Sequence, residues 1–250
     1  MHRFYLAPDE WDPAALTLTG GEAHHARDVL RLKAGDKLVV FNGRGREVTA
    51  EIVDLARDGV RLRKLTETET PPLRCRVSLG QAIPKGKNMD LIVQKAVELG
   101  AAKICPLVSA RTVVDLGEKE ARAKQAKWQT VAIEAAKQCG QNWLPEVQPP
   151  RTIKDFFAQL SAFDLQLIGS LQPGALHPKK ILAEFSAEHR RAPETVLMLV
   201  GPEGDFTPAE LGLARSHGCR PITLGPIILR VETAAIYCLS VLSYELFGPQ

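Results

Sequence analysis

Arg230 and Glu232 are two charged residues at the start of an otherwise apolar segment. The stretch LGPIILRVETAAI (224–236) opens with a Gly-Pro turn, and the chain then stays almost wholly apolar as far as Leu246. The helix dipole favours a glutamate in the first turn of a helix and disfavours an arginine there. One interpretation is a surface arginine paired with Glu232 or Glu203, which would add little stability. The other is an arginine that faces an anionic group of a substrate or cofactor, or the charge that develops on a reacting base.

Two predicted strands end alike, in Gly-Pro followed by a turn. LMLVGPEGDF contains Gly201 and Gly204, and ITLGPIILR contains Gly225. Ligands of open α/β sheets bind outside the carboxyl ends of the strands, and glycine lets a ligand approach the backbone closely. Such turns suit an adenine or ribose edge, although Gly-Pro also simply ends many strands. The chain contains neither G-x-G-x-x-G nor G-x-x-x-x-G-K-[ST], so classical dinucleotide or ATP binding is not supported.

Basic residues in two further segments are candidates for phosphate contacts. They are Arg27, Arg31 and Lys33 of HHARDVLRLK and Lys85 and Lys87 of IPKGKNMD, where a solvated turn is the alternative. His24 and His25 lack an accompanying carboxylate cluster, and the five cysteines form no C-x-x-C pair. We therefore predict no metal site and mostly buried, reduced thiols.

The bulk composition is that of an ordinary globular protein. The 250 residues are 45% hydrophobic and 24% charged, enough for two compact domains or one large one. No apolar run reaches the roughly 20 residues that a membrane span needs. The N-terminal MHRFYLAPDEW lacks the apolar core of a signal peptide. We expect a cytoplasmic protein, and the net charge of +3 permits binding to nucleic acid without arguing strongly for it.

Residues 1–70 show the pattern of a small β-barrel or β-sandwich. EAHHARDVLRL follows Thr19 and predicts a helix with Ala26, Val29, Leu30 and Leu32 at near-helical spacing. The alternating runs DKLVVFNG, REVTAEIVDLA and GVRLRKL predict strands that Gly35-Asp36, Asn42-Gly43 and Asp58-Gly59 separate. TETETPPL (66–73) has the composition of an extended linker.

From residue 74 onward, strands and helices alternate, which predicts a mostly parallel α/β sheet. NMDLIVQKAVELGA predicts a helix with Leu91, Lys95 and Leu99 on one face. Thr207 and Glu210 have the spacing of a capping box. The final helix is predicted from about Val231 to Phe247. The predicted strands are CRVSLGQAI, KICPLVS, FDLQLIGSL, TVLMLVG and RPITLG, and a long helix is predicted for EKEARAKQAKWQTVAIEAAKQCG.

Five segments together resemble one known family. QAIPKGKNMDLIVQKAVELG, EAAKQCGQNWLPEV, LVGPEGDFTPAE and LGPIILRVETAA, with the N-terminal HHARDVLRLKAGD, resemble the RsmE-type 16S ribosomal RNA uridine-N3 methyltransferases of the SPOUT superfamily. The resemblance covers nearly the whole chain. It implies a PUA-like, RNA-binding β-barrel in residues 1–70 and a SPOUT methyltransferase domain with a C-terminal trefoil knot in residues 74–250. It also implies S-adenosylmethionine (SAM) as cofactor, the small ribosomal subunit as partner and a homodimer.

The resemblance also implies roles for individual residues. Arg230 and Glu203 would be the polar residues nearest the reaction, with Arg230 stabilising the negative charge that spreads over the uridine when N3 loses its proton. Glu203, His25 and water remain alternatives for the base. The uridine would have to be unpaired or flipped out. Ala235, Cys238, Leu239 and Leu242 would pack the knot and the dimer interface, and the SAM pocket would be lined by Leu199, Gly201, Gly204, Leu224, Gly225, Ile228, Leu229, Thr233 and Ala234.

The chain departs from the family pattern at four positions. Asp205 stands where the family usually has glycine, Val231 where it has threonine, and Gln141 and Ile227 each where it has arginine. The two missing arginines weaken the expected contacts with RNA or phosphate. Two alternatives therefore stay open: a SPOUT methyltransferase for another ribosomal or transfer RNA site, and a catalytically silent RNA-binding or ribosome-assembly factor.

Overall fold

The computed structural model describes residues 1–112 and 117–248, which form two compact units. The first unit contains Met1–Pro72 together with Ile133–Leu144, and the second contains the rest of the described chain. The sequence analysis placed the boundary between the two domains at residues 70–74 and did not predict that residues 133–144 belong to the first unit. None of the helices in the described ranges is long and apolar enough to cross a membrane.

A five-stranded sheet forms the first unit. Its strands are β1 (Arg3–Tyr5), β2 (Thr17–Leu18), β3 (Lys37–Phe41), β4 (Arg46–Leu55) and β5 (Val60–Glu69). Their order is β1-β3-β4-β5-β2, in which only the β1–β3 pair is parallel. The three alternating runs of the sequence are thus confirmed as strands. Their inward residues form the core with other apolar side chains, including Phe4, Leu18, Leu38, Val40, Val48 and Ile52.

The predicted linker is wrong over its first four residues. Residues 66–69 complete β5, where Thr66 pairs with Thr49 and Glu69 with Arg46. The alternating threonines are good strand residues, and β4 is long enough to give them backbone partners. A prediction made from local composition could not include that distant partner.

A short helix lies between β2 and β3. It consists of α1 (Gly20–His24) and a π-helical turn at His25–Val29. Ala26 is buried, whereas Val29 is 60% exposed. A π turn holds more residues than an α turn, so the α-helical spacing that was read from Ala26 and Val29 does not hold there.

The second unit is built on a seven-stranded parallel sheet, as predicted. Six strands follow the order β12-β10-β11-β6-β7-β8, and β9 also pairs with β7. All pairs are parallel. The strands are β6 (Arg76–Ala82), β7 (Lys103–Val108), β8 (Glu146–Val147), β9 (Arg151–Thr152), β10 (Leu165–Gly169), β11 (Thr195–Val200) and β12 (Arg220–Ile222).

Six helices accompany this sheet. They are α2 (Asn88–Glu98), α3 (Glu118–Cys139), α4 (Ile153–Ala158), α5 (Pro178–His189), α6 (Pro208–Ser216) and α7 (Val231–Phe247). The sequence did not predict α4 and α5. The capping box of Thr207 and Glu210 is confirmed, because each side chain accepts a hydrogen bond from the other residue's backbone N–H. The predicted helix is confirmed as α2, which buries Met89, Ile92, Val93, Ala96 and Val97 and leaves Leu91 39% exposed.

We expect the substitution Gly212→Ala to stabilise the protein. Gly212 lies exposed inside α6, its φ is not positive, and no atom lies within 4 Å of a built Cβ. Glycine in a helix interior costs about 0.5–1 kcal/mol relative to alanine, so the free energy of unfolding should rise by about that amount. Urea denaturation followed by circular dichroism measures it, and an unchanged or lower free energy of unfolding would contradict the expectation.

Candidate active site

A cavity of about 630 Å³ lies where the strands β10, β11 and β12 end. We call it the strand-end cavity. The loops that follow these strands, residues 169–175, 200–205 and 223–230, form its walls together with the start of α7. All three loops lie at the same edge because neighbouring parallel strands share their carboxyl ends.

Glycines leave the backbone of this cavity open to a ligand. Gly174, Gly204 and Gly225 have φ values of 88°, 81° and 109°, a region that favours glycine. Apart from the adjoining residues, no described atom lies within 4 Å of a Cβ placed on Gly225. A methyl group there would therefore meet open space, and only the positive φ of its own residue would disfavour it.

Asp205 ties two of the loops together. Its carboxylate accepts hydrogen bonds from the backbone N–H of Leu171 (2.9 Å) and of Phe206 (2.8 Å). Its own φ is 71°, which aspartate tolerates better than most residues. Aspartate therefore fits at this position, where the resembled family usually has glycine, and its side chain adds the hydrogen bond to the loop of Leu171. Arg111, in the segment after β7, donates to the backbone carbonyls of Gly204 and Asp205.

Arg230 occupies the N-cap position of α7 and lines the strand-end cavity. Among the described residues its exposed side chain forms no ion pair and no hydrogen bond. The two carboxylates that the sequence offered as its surface partners accept hydrogen bonds from other residues. Glu232 accepts from Asn88 Nδ2 at 3.1 Å, and Glu203 accepts from the backbone N–H of Lys85 at 3.2 Å. The interpretation of Arg230 as half of a surface ion pair is wrong for the described residues.

Glu203 and seven of the nine residues expected to hold the cofactor line this cavity: Gly201, Gly204, Leu224, Gly225, Ile228, Leu229 and Ala234. Leu199 and Thr233 do not. The side chain of Leu199 is 1% exposed and belongs to the core below the loops, and Thr233 is exposed on the first turn of α7. Ile227 and Val231, two of the departures from the family pattern, line the cavity as well.

The sequence did not identify the loop after β10 as part of the site. It contributes Ser170, Gln172 and Pro173, among others, to the cavity lining. Pro173-Gly174 follows a predicted strand just as Gly-Pro follows the other two. That repeated pattern, a turn dipeptide after an apolar strand, is the signal that would have found it.

The predicted phosphate-binding residues fall into two groups. In the first unit, Arg31 and Lys33 are exposed, whereas Arg27 donates to Asp28 (2.9 and 3.1 Å) and to the carbonyl of Ala56. The hydrogen bond from Arg27 lowers the pKa of the Asp28 carboxyl. In the second unit, Lys85 and Lys87 are exposed between β6 and α2.

The other sequence-based expectations concern histidines, cysteines and Gln141. The His25 ring packs edge-on against Phe4 in the first unit, 6.0 Å between centroids. No group of three potential metal ligands occurs among the described residues. Four of the five cysteines are buried, as predicted for most of them: Cys75, Cys105, Cys219 and Cys238. Burial raises the pKa of the Cys105 thiol to about 11 and that of the other three thiols to about 12. Cys139 is exposed. Gln141 accepts from the backbone N–H of Trp143 (3.1 Å).

Two family models match the chain. The model for an RNA methyltransferase domain matches residues 71–243, and the model for an RNA methyltransferase PUA domain matches residues 18–65. Together they span both units of the structure.

Individual relatives cover nearly the whole chain. The ribosomal RNA small subunit methyltransferase E of Bacillus subtilis is 32% identical over 92% of this chain and 90% of its own. The protein of the same name from Synechocystis is 32% identical over 96% of this chain and 76% of its own. A solved structure of the Neisseria gonorrhoeae enzyme of that name, bound to SAM, superimposes with a TM-score of 0.85 at 29% identity and covers 98% of each chain. The chain therefore belongs to the RNA methyltransferase family that includes the ribosomal RNA small subunit methyltransferase E proteins.

Proposed function

We propose that this chain transfers the methyl group of SAM to N3 of a uridine in 16S ribosomal RNA, in the cytoplasm. The observation that carries the proposal is the strand-end cavity, in which glycine-rich backbone loops meet the side chain of Arg230, which has no partner among the described residues. The relatives named above support the RNA and the cofactor, since they are ribosomal RNA small subunit methyltransferases and one of them has bound SAM.

The residues of the strand-end cavity fit SAM. A volume of about 630 Å³ falls in the range of small-molecule sites. Leu224, Leu229 and Ala234 provide apolar wall for an adenine ring, and Gly204 and Gly225 leave backbone groups accessible to the polar edges of the cofactor. When bound, SAM supplies an activated methyl group on a sulfonium, so the protein has to align the acceptor and manage one proton.

Arg230 suits the stabilisation of the reacting base. When uridine loses the N3 proton, negative charge spreads onto O2 and O4. A guanidinium beside these oxygens stabilises the anion and lowers the pKa of N3. Because Arg230 has no partner among the described residues, it can turn to the substrate without first breaking an ion pair.

Glu203 is our candidate for the group that accepts the N3 proton. Two carboxylates line the strand-end cavity. Both oxygens of Asp205 accept backbone hydrogen bonds, which hold that group in a structural role. Glu203 uses only Oε1, for the backbone N–H of Lys85, and its Oε2 has no partner among the described residues.

We also propose the C-terminal trefoil knot that the resemblance implies. From β12, at the edge of the sheet, the chain returns past the strand-end cavity to α7, which packs against α2 and the interior strand β11. Because α7 returns from the edge of the sheet to its interior, this path is compatible with a knot in which the C-terminal segment passes behind earlier loops of the same unit.

A homodimer is part of the proposal as well. Ala235, Cys238, Leu239 and Leu242 are 0–3% exposed within the single chain, so they cannot offer surface to a partner, contrary to the expectation from the resemblance. Exposed apolar groups lie elsewhere on α7 and on the loop before it: Ile227 (74%), Ile228 (76%), Tyr237 (40%) and Tyr244 (84%). Such residues are typical of an interface, and light scattering of the purified protein would give the oligomeric state.

Primer extension tests the uridine N3 assignment. Methylation of N3 blocks base pairing, so incubation of 16S ribosomal RNA or small subunits from a deletion strain with the protein and SAM should create a reverse-transcriptase stop. Omission of SAM is the control. No stop on either substrate would contradict the proposal, and a stop in a different RNA would favour the alternative of another methylation site. Calorimetry that detects no SAM binding would favour a silent RNA-binding factor.

A further inference from the structure

A second cavity of about 630 Å³ adjoins the strand-end cavity, and Glu203 lines both. We call it the lysine cavity. It is formed within the second unit by the segment after β6, the start of α2, the segment after β7 and the middle of α3. The residues that matter here are Lys85, Lys87, Asp90, Lys124, Lys127 and Trp128.

The lining of the lysine cavity is strongly cationic. Five cations, Arg111 and four lysines, face two carboxylates, Asp90 and Glu203. Lys127 is paired with Asp90 at 2.6 Å, and Arg111 donates to the carbonyls of Gly204 and Asp205. The remaining cations, Lys85, Lys87 and Lys124, form no ion pair among the described residues. Three ammonium groups without a carboxylate partner in the described part of the chain repel each other around one concavity, and an anionic ligand would reduce that repulsion.

The walls of the lysine cavity are held by specific bonds. Asp90 of α2 accepts from the indole Nε1 of Trp128 at 3.1 Å, which joins α2 to α3. Trp128 is 3% exposed, and the ammonium of Lys124 lies 5.8 Å from the centroid of its ring. The backbone N–H of Lys85 donates to Glu203. The cavity is therefore shaped before any ligand arrives.

We propose that the lysine cavity binds a backbone phosphate of the RNA, next to the nucleotide whose base enters the strand-end cavity. The proposal rests on the function proposed above and adds Lys124 and a defined ligand group to it. Contacts to phosphate fix the position of a nucleic acid without reading its sequence. Because Glu203 lies between the two cavities, a phosphate held by Lys85 and Lys124 would place the adjoining base beside Glu203 and Arg230.

The salt dependence of RNA binding tests this site. Each lost phosphate contact lowers the magnitude of the slope of log Kobs against log salt concentration by about 0.7 for a single strand. Because both lysines hold the same phosphate, we expect this reduction of about 0.7 for the double variant and a part of it for Lys85→Ala and for Lys124→Ala. Fluorescence anisotropy with a short labelled single-stranded oligoribonucleotide measures it, and Lys124→Arg should restore the slope. Lys119→Ala is the matched control, because Lys119 is an exposed lysine of α3 outside the lysine cavity.

Three further measurements distinguish a failure of the phosphate site from a failure of the proposed methyl transfer. Calorimetry should give every variant the SAM affinity of the unmodified protein, and thermal melting should show that each is folded. In the methylation assay the KM for RNA should rise in the two alanine variants. Wild-type slopes in folded Lys85→Ala and Lys124→Ala, or an equal loss in Lys119→Ala, would overturn the proposal. A protein whose RNA binding depends on these lysines but which methylates no RNA would refute the proposed function and leave the phosphate site standing.

Discussion

Arg230→Ala is expected to lower the rate of methyl transfer by roughly 10²-fold or more, as for other groups that stabilise a developing charge. The SAM affinity should remain close to that of the unmodified protein, because in the proposed binding mode backbone loops and apolar side chains of the strand-end cavity hold the cofactor. Single-turnover transfer of a radiolabelled methyl group measures the rate, and calorimetry measures the affinity. Since the lost group favours the deprotonated base, raising the pH should recover part of the rate in this variant.

Two further variants show whether the loss belongs to Arg230. Arg230→Lys should fall between the unmodified protein and Arg230→Ala, since lysine keeps the charge and lacks the planar guanidinium fork. Arg215→Ala removes an equal charge from the exposed end of α6, outside the strand-end cavity, and should keep the normal rate. Near-normal turnover in Arg230→Ala would exclude Arg230 from the mechanism.

Gly225→Val is expected to weaken SAM binding at least tenfold. The φ of 109° at this position is essentially closed to a β-branched residue, and holding such a conformation costs about 1–3 kcal/mol. The loop 223–230 would relieve the strain by changing its path, and it forms one wall of the strand-end cavity. A tenfold loss of affinity needs only about 1.4 kcal/mol. Calorimetry with SAM measures the dissociation constant.

A graded series makes this test specific. Gly225→Ala should weaken SAM binding less than Gly225→Val, because a single methyl group is less restricted at positive φ than a branched side chain. Apart from the adjoining residues, no described atom lies within 4 Å of a Cβ placed at this position, so the single methyl group of Gly225→Ala meets open space and its effect reports the backbone strain alone. Gly212→Ala, at an exposed position of α6, should leave SAM binding unchanged. SAM binding of normal affinity in a folded Gly225→Val would show that this wall does not contact the cofactor.

The features that the sequence predicted correctly are those that neighbouring residues decide. The capping box at Thr207 and the bounds of α7 at Val231 and Phe247 follow from side chains within one turn or from an uninterrupted apolar run. The parallel sheet follows from the alternation of strands and helices, because parallel strands need a crossover between them. The positions of the two Gly-Pro loops at the ends of β11 and β12 follow in the same way.

The errors concern distant partners. Residues 66–69 looked like a linker because their partner strand β4 begins twenty residues earlier in the chain. Leu91 and Val29 have helical spacing in the sequence and are both exposed, because the surface that a helix buries depends on what packs against it and a π turn changes the spacing. Helix propensity and periodicity give no information on which elements pack against a helix or on where a π turn occurs.

By itself, the sequence determined eight of the twelve described strands, most of the described helices, the glycines of the strand-end cavity and the place of Arg230 at the start of α7. The tertiary structure decided which of these groups meet. In the fold, the loop 169–175 lies beside the two Gly-Pro loops. Glu203 and Glu232 accept hydrogen bonds from Lys85 and Asn88. Lys85, Lys124 and Glu203 line one cavity. The physical reason is the strand order: β10, β11 and β6 are neighbours although long stretches of chain separate them, so their carboxyl ends, and the charges that follow them, share one edge of the sheet.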